Sequence, residues 1–272
     1  MEIIRNHFER GRVRHAVFDF DGTLSLIREG WQPIMTAVMV DALLQTPHHE
    51  SEPELRRMAA DLVARTTGHM TNYQMACLGQ EVARRGGHPL DPPTYKQDFL
   101  NRLNERIEQR LARLEAGRIT ADDLMVPGAR ALLQTLYARG VRCYLVSGSD
   151  EPGVVKEAAA LHITSYFDSI HGAQSDPAWS AKKEFFSNLV ARHHLSESEL
   201  VSFGDGTAEI EEAVRAGGIA VGVASNEAER AGLDEHKRHL LIQAGAHIIV
   251  PDFREHEKLV TFLFEAQGAS AI

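Results

Sequence analysis

Asp19 and Asp21 flank Phe20 at the end of an apolar run, and Gly22 and Thr23 follow. Residues two apart on a strand share a face, so both carboxylates would leave the strand end together. Carboxylates held that close repel, and a cation or a shared proton relieves them. A hard, oxygen-seeking ion such as Mg²⁺ does this, with a substrate phosphate completing its shell. One carboxylate can then attack phosphorus and form an acyl phosphate while the other moves the proton. A strand ending in an Asp-Gly turn is common, so the pair needs companions.

Three further segments supply them. Leu145-Val-Ser-Gly-Ser149 reads as a strand ending in small residues before a helix. Ser147 offers a hydroxyl, and Gly148 lets backbone amides near a helix start face a phosphate oxygen. Ser149 and Asp150 suit plain N-capping. Lys182-Lys183 precedes Phe185, Phe186, Leu189 and Val190, and one lysine at this helix start can clamp a phosphate and screen the carboxylates. Phe203-Gly-Asp-Gly-Thr-Ala-Glu209 runs from a strand into a helix. Asp205 and Glu209 are four apart, which stacks them on one face if the helix begins there. Glu209 and Glu211 also favour a helix N-terminus on dipole grounds alone. Each segment is ordinary alone, but together they hold the groups that phosphoryl transfer needs.

The elements that must position these residues can be read from periodicity. Residues 13–20 read as a strand. Further strands are expected at 141–146, 166–171, 200–203, 219–223 and 247–250, with amphipathic helices at 129–139, 152–161, 181–195 and 208–216. This alternation implies a parallel sheet with helices on both faces, whose sites lie beyond the carboxyl ends of the strands. A helix is expected over 26–45, with Ile34, Val38, Leu43 and Leu44 at helical spacing. Residues 51–116 read as helical and polar, broken at Gly86-Gly87 and Asp91-Pro92-Pro93. The expected architecture is a Rossmann-like, doubly wound α/β core (residues 1–25 and 123–272). An all-helical insert (26–122) follows the Asp-Gly turn, where it can cover the site as a lid.

Bulk composition narrows the function class. The 272 residues are 43% hydrophobic and 25% charged, as in ordinary globular proteins. A formal net charge of -9 and scattered basic pairs offer no basic stripe for nucleic acid. Cys77 and Cys143 fit a reduced, cytoplasmic interior better than a disulfide framework. The histidine pairs His48-His49 and His193-His194 have no zinc-ligand spacing. No apolar stretch is long enough for a membrane span, and the N-terminal residues lack a signal-peptide core.

Taken together, the four segments closely resemble the motifs of the haloacid dehalogenase superfamily. Asp19 to Thr23 matches its Asp-x-Asp-Gly-Thr motif. Ser147 matches its strand-terminal Ser or Thr. Lys182, with Phe185 and Phe186 three and four later, matches its lysine motif better than Lys183 does. Gly204, Asp205 and Glu209 match its Gly-Asp…acid motif, with Glu where a second Asp is frequent. The insert between the first two motifs is similar to the caps of phosphoglycolate phosphatase and β-phosphoglucomutase relatives.

The resemblance implies that Asp19 is nucleophile and metal ligand, and that Asp21 is general acid and base with its backbone carbonyl on the metal. Ser147, Gly148 and Lys182 would hold the phosphate, Asp205 would bind Mg²⁺ directly, and Glu209 would bind it through water. The expected activity is Mg²⁺-dependent hydrolysis of a small, sugar-phosphate-like monoester through an aspartyl phosphate. The alternatives are a phosphomutase of the β-phosphoglucomutase type and a catalytically silent phosphometabolite-binding protein. Dehalogenation needs no acid at the position of Asp21. Thr66-Thr67-Gly68, Thr71 to Gln74, Arg28 and Trp31 are candidates for facing the substrate.

Overall fold

The computed structural model describes residues 1–67, 69–173 and 181–265. Seven strands form one sheet: β1 (Glu2–Ile3), β2 (His15–Phe18), β3 (Arg142–Asp150), β4 (Phe167–Ala173), β5 (Leu200–Gly204), β6 (Ile219–Val223) and β7 (Ile248–Val250). Their spatial order is β1-β7-β6-β5-β2-β3-β4. Every neighbouring pair is parallel except β1–β7. The antiparallel edge was not expected. It is a two-residue pairing, Glu2 with Ile249 and Ile3 with Ile248, too short to leave a pattern in the sequence.

β2 lies inside the sheet and all four of its residues are buried. Side chains alternate between the two faces of a strand, and the packing follows that rule. Ala16 and Phe18 join a cluster with Leu132, Leu136, Val260 and Leu263. Val17 joins a second cluster with Phe186, Leu189, Ile210 and Leu241. The first face is covered by α5 (Ala129–Ala138), α6 (Glu151–Ala160) and α10 (His256–Phe264). The second is covered by α7 (Ala181–His193), α8 (Thr207–Arg215) and α9 (Glu235–Ala244). Helices on both faces of a mostly parallel sheet make the core a Rossmann-like, doubly wound fold. The rings of Phe18 and Phe203 stack 4.6 Å apart between the adjacent strands β2 and β5.

Between β2 and β3 lie α1 (Trp31–Leu44), α2 (Glu52–Arg65), α3 (Thr71–Arg84) and α4 (Pro92–Glu115), with no strand among the described residues. Asp91-Pro92-Pro93 does not merely interrupt this stretch. It starts α4, because a proline in the first turn of a helix forfeits no hydrogen bond. α4 buries Tyr95, Phe99, Leu103, Ile107 and Leu111, one stripe at a spacing of four. α2 opens on a capping box in which the Ser51 amide donates to Glu54 Oε2 at 3.1 Å.

Replacing Phe203, fully buried against Phe18, by Ala is expected to cost about 3–5 kcal/mol of stability. Urea unfolding of Phe203→Ala beside the unmodified chain measures this.

Candidate functional site

The three central strands deliver the site. Phe18 of β2 pairs with Leu145 of β3 and with Phe203 of β5. Asp19 follows Phe18 directly, while Ser147 and Asp205 stand two residues past those partners, so all three emerge at one edge of the sheet. The Asp19 amide donates to the Phe203 carbonyl at 2.9 Å, which fixes the backbone where its carboxylate begins.

Two sequence expectations need correction. Strand pairing to the neighbouring long strands stops at Phe18, so Asp21 sits in a turn rather than on a strand face. That turn is closed by Gly22 N to Ser25 O (2.9 Å) and Leu24 N to Phe20 O (2.9 Å). Asp21 still lines the same cavity as Asp19. Gly22 is required here, because its φ is +76° and a Cβ would lie 2.2 Å from Asp205 Oδ2. Likewise Asp205 precedes α8 rather than stacking on it. Glu209 reaches its place by accepting from the Gly206 amide at 2.6 Å, back across the first turn.

The carboxylates of Asp19, Asp205 and Glu209 lie within 4.8 Å of one another, all buried. Lys182 Nζ donates to Asp19 Oδ1 and Glu209 Oε2, each at 2.7 Å. Lys237 Nζ donates to Asp205 Oδ2 and Glu227 Oε1, also at 2.7 Å. Burial pushes the Asp19 carboxyl well above the usual range against the pull of Lys182. Burial likewise raises Asp205 to about 7. Two ammonium groups thus face four carboxylates when all are ionised, and the surplus of two negative charges suits one divalent cation. The donor set is all oxygen, as Mg²⁺ prefers, so the residues present fit that ion.

Asp21 stands outside this cluster. Its Oδ2 accepts from the Ser149 hydroxyl at 2.8 Å. Its Oδ1 is buried, has no hydrogen-bond partner among the described residues, and lies 3.6 Å from Arg28 Nε. Ser147 Oγ accepts from the Ser149 amide at 3.1 Å, which leaves its own proton to donate into the cavity. Gly148 lines the same space, which has a volume of about 60 Å³. Arg28, Trp31, Thr67, Thr71 and Gln74 reach that cavity from the insert side. Gly68 lies outside the described residues. Lys182 is buried and Lys183 exposed, as the motif spacing distinguishes them.

The chain matches the haloacid dehalogenase-like hydrolase family over residues 13–217. It belongs to that family. No curated protein sequence matches the chain. Among solved structures it is similar to a phosphonoacetaldehyde hydrolase-like protein from Oleispira antarctica (TM-score 0.62, 15% identity, 97% of each chain covered). It is also similar to a predicted phosphoglycolate phosphatase from Haemophilus somnus 129pt (0.59, 20% identity, 91% of this chain and 98% of that one). A third is a β-phosphoglucomutase from Clostridium difficile (0.57, 15% identity, 91% and 96%). At these identities the likeness establishes the fold.

Several site residues of this haloacid dehalogenase-like hydrolase have no counterpart in the four motifs. Ser149 holds Asp21 instead of capping a helix, and no side-chain cap bond forms at Asp150. Glu157 binds Arg28. It lies on the face of α6 that also buries Val154 and Ala158. Lys237 and Glu227 follow the last motif with no local signal, and so does Ser225, whose hydroxyl donates to the Gly22 carbonyl at 2.9 Å.

The raised carboxyls set a pH dependence. A carboxyl whose folded pKa exceeds its unfolded value destabilises the fold as pH rises between the two. For Asp205 that window runs from about 4 to about 7. The metal-free protein is expected to lose stability across it, and Mg²⁺ should raise the melting temperature more at pH 8 than at pH 5. Thermal melts with and without Mg²⁺ at both pH values check this.

Proposed function

We propose that the protein is a Mg²⁺-dependent phosphatase of small phosphate monoesters, sugar-phosphate-like metabolites among them, acting through a phosphoaspartyl group on Asp19. The observation that carries this reading is the junction of two unlike carboxylates in one cavity. Asp19 is locked into the lysine-carboxylate cluster, while Asp21 keeps one buried oxygen without a hydrogen bond among the described residues, 3.6 Å from Arg28 Nε.

Each carboxylate then has its own task. An Asp19 oxygen attacks phosphorus while the ester P–O bond breaks. The leaving oxygen takes its proton from Asp21. In the second half, Asp21 takes a proton from water as the water oxygen attacks phosphorus. The bond to Asp19 breaks, and phosphate leaves. The Lys182 ammonium screens the approach of an anionic phosphoryl group to Asp19, and the Ser147 hydroxyl and the amides about Gly148 hold its oxygens. Asp19, Asp205 and Glu209, with the Asp21 backbone carbonyl, would hold Mg²⁺. The ion supplies charge neutralisation at the phosphoryl oxygens. The helical insert, residues 26–122, acts as a cap domain over a core of residues 1–25 and 123–272, and its closure excludes water from the acyl phosphate.

Asp19→Asn is expected to abolish phosphate release from a panel of phosphorylated metabolites, with its circular dichroism spectrum unchanged. Asp21→Asn should lower kcat by about 10²–10⁴. Full Mg²⁺-dependent turnover by Asp19→Asn would overturn the assignment.

A further inference from the structure

The walls around Asp19 bear on which alcohol can leave. Arg28 is the one arginine lining the cavity among the described residues, and its charge is already matched. Its Nε lies 3.1 and 3.0 Å from the two Glu157 oxygens, and its Nη2 donates to Glu157 Oε1 at 2.6 Å. Asp21 Oδ1 lies 3.6 Å from Arg28 Nε. Glu157 is 3% exposed and sits behind Arg28 rather than in the cavity wall. Lys182 is held between two carboxylates in the same way. His69, the remaining basic group of the wall, has its pKa lowered by burial first and by the Lys182 charge second, so it is neutral near pH 7. The segments outside the described residues contain no Arg, Lys or His.

A substrate carboxylate entering beside the phosphate would therefore meet one cation already paired with Glu157. It would lose its hydration without gaining a charge partner. Hydroxyl groups meet no such penalty. Thr67, Thr71 and Gln74 supply donors and acceptors there, beside the rings of Trp31 and Phe99.

We infer that the site, within the phosphatase reading, selects monoesters of uncharged, hydroxyl-bearing alcohols, and that Glu157 sets this selectivity by cancelling the charge of Arg28. Glu157 is a positioning and specificity residue that acts through Arg28 and does not touch the substrate.

The test measures kcat/KM with Mg²⁺ for glycerol 3-phosphate against 2-phosphoglycolate, in the unmodified chain and in Glu157→Gln. The unmodified chain should favour glycerol 3-phosphate by at least about tenfold. Glu157→Gln should narrow that ratio by about tenfold, through a lower KM for the acid. Equal use of the two substrates, or preference for the acid, by the unmodified chain overturns the inference while leaving the phosphatase intact. An unchanged ratio in a folded Glu157→Gln overturns the role of Glu157. If neither substrate nor acetyl phosphate yields phosphate above the Asp19→Asn background, the phosphatase reading falls, and the inference falls with it.

Discussion

Charge compensation under burial governs this site. Asp19, Asp205 and Glu209 are each at most 5% exposed, and an isolated carboxylate in such a place would protonate or unfold its surroundings. Lys182 and Lys237 each bridge two acids, so each ammonium must come from an element fixed independently of the strands that carry Asp19 and Asp205. α7 brings Lys182 and the capped start of α9 brings Lys237, where Asp234 accepts from the amides of His236 and Lys237. The parallel sheet matters because it sets β2, β3 and β5 side by side in register, with Phe18 opposite both Leu145 and Phe203. The remainder of the core holds those ends still.

The same principle extends into the helical insert. Arg110 Nη1 donates to the carbonyls of Leu26, Ile27 and Glu29 at 3.2, 2.7 and 2.9 Å, and Arg106 Nη1 donates to Glu29 O at 3.0 Å. These guanidinium groups of α4 hold the chain just after the turn at Gly22, in the segment that also carries Arg28. Lys96 of the same helix meets Asp150 at the end of β3, at 2.5 Å. A helix that buries one stripe of apolar residues inside the insert therefore offers its charged side to the sheet edge. Any movement of α4 would be felt at both walls of the cavity.

Much of this was legible from residue order. The four motif segments stand out because strand-terminal small residues and acids follow apolar runs, and the register of β2 with β3 and β5 converts those sequence positions into neighbours. The core strands and their crossover helices were readable for the same reason. What lay beyond reach has physical causes. β1 is two residues long and owes its pairing to β7 rather than to any periodicity of its own. α9 depends on its Asp234 cap, and α10 on burial of Leu259, Val260 and Leu263. Ser149, Glu157 and Lys237 do their work through contacts 128, 129 and 32 residues away in sequence, and no spacing rule reports a contact of that kind. Asp21 was placed on a strand face because Phe20 continues the apolar alternation, although the turn at Gly22 had already begun.

On the proposed reading, the Asp19 carboxylate becomes covalently phosphorylated while Asp21 only moves protons. Borohydride quenching during turnover reduces an acyl phosphate to the corresponding alcohol, and peptide mass spectrometry locates the residue. The account predicts homoserine at position 19, dependent on both substrate and Mg²⁺, with Asp21 unaltered. Reduction at Asp21, or no reduced aspartate anywhere in an enzyme that is turning over, would contradict it.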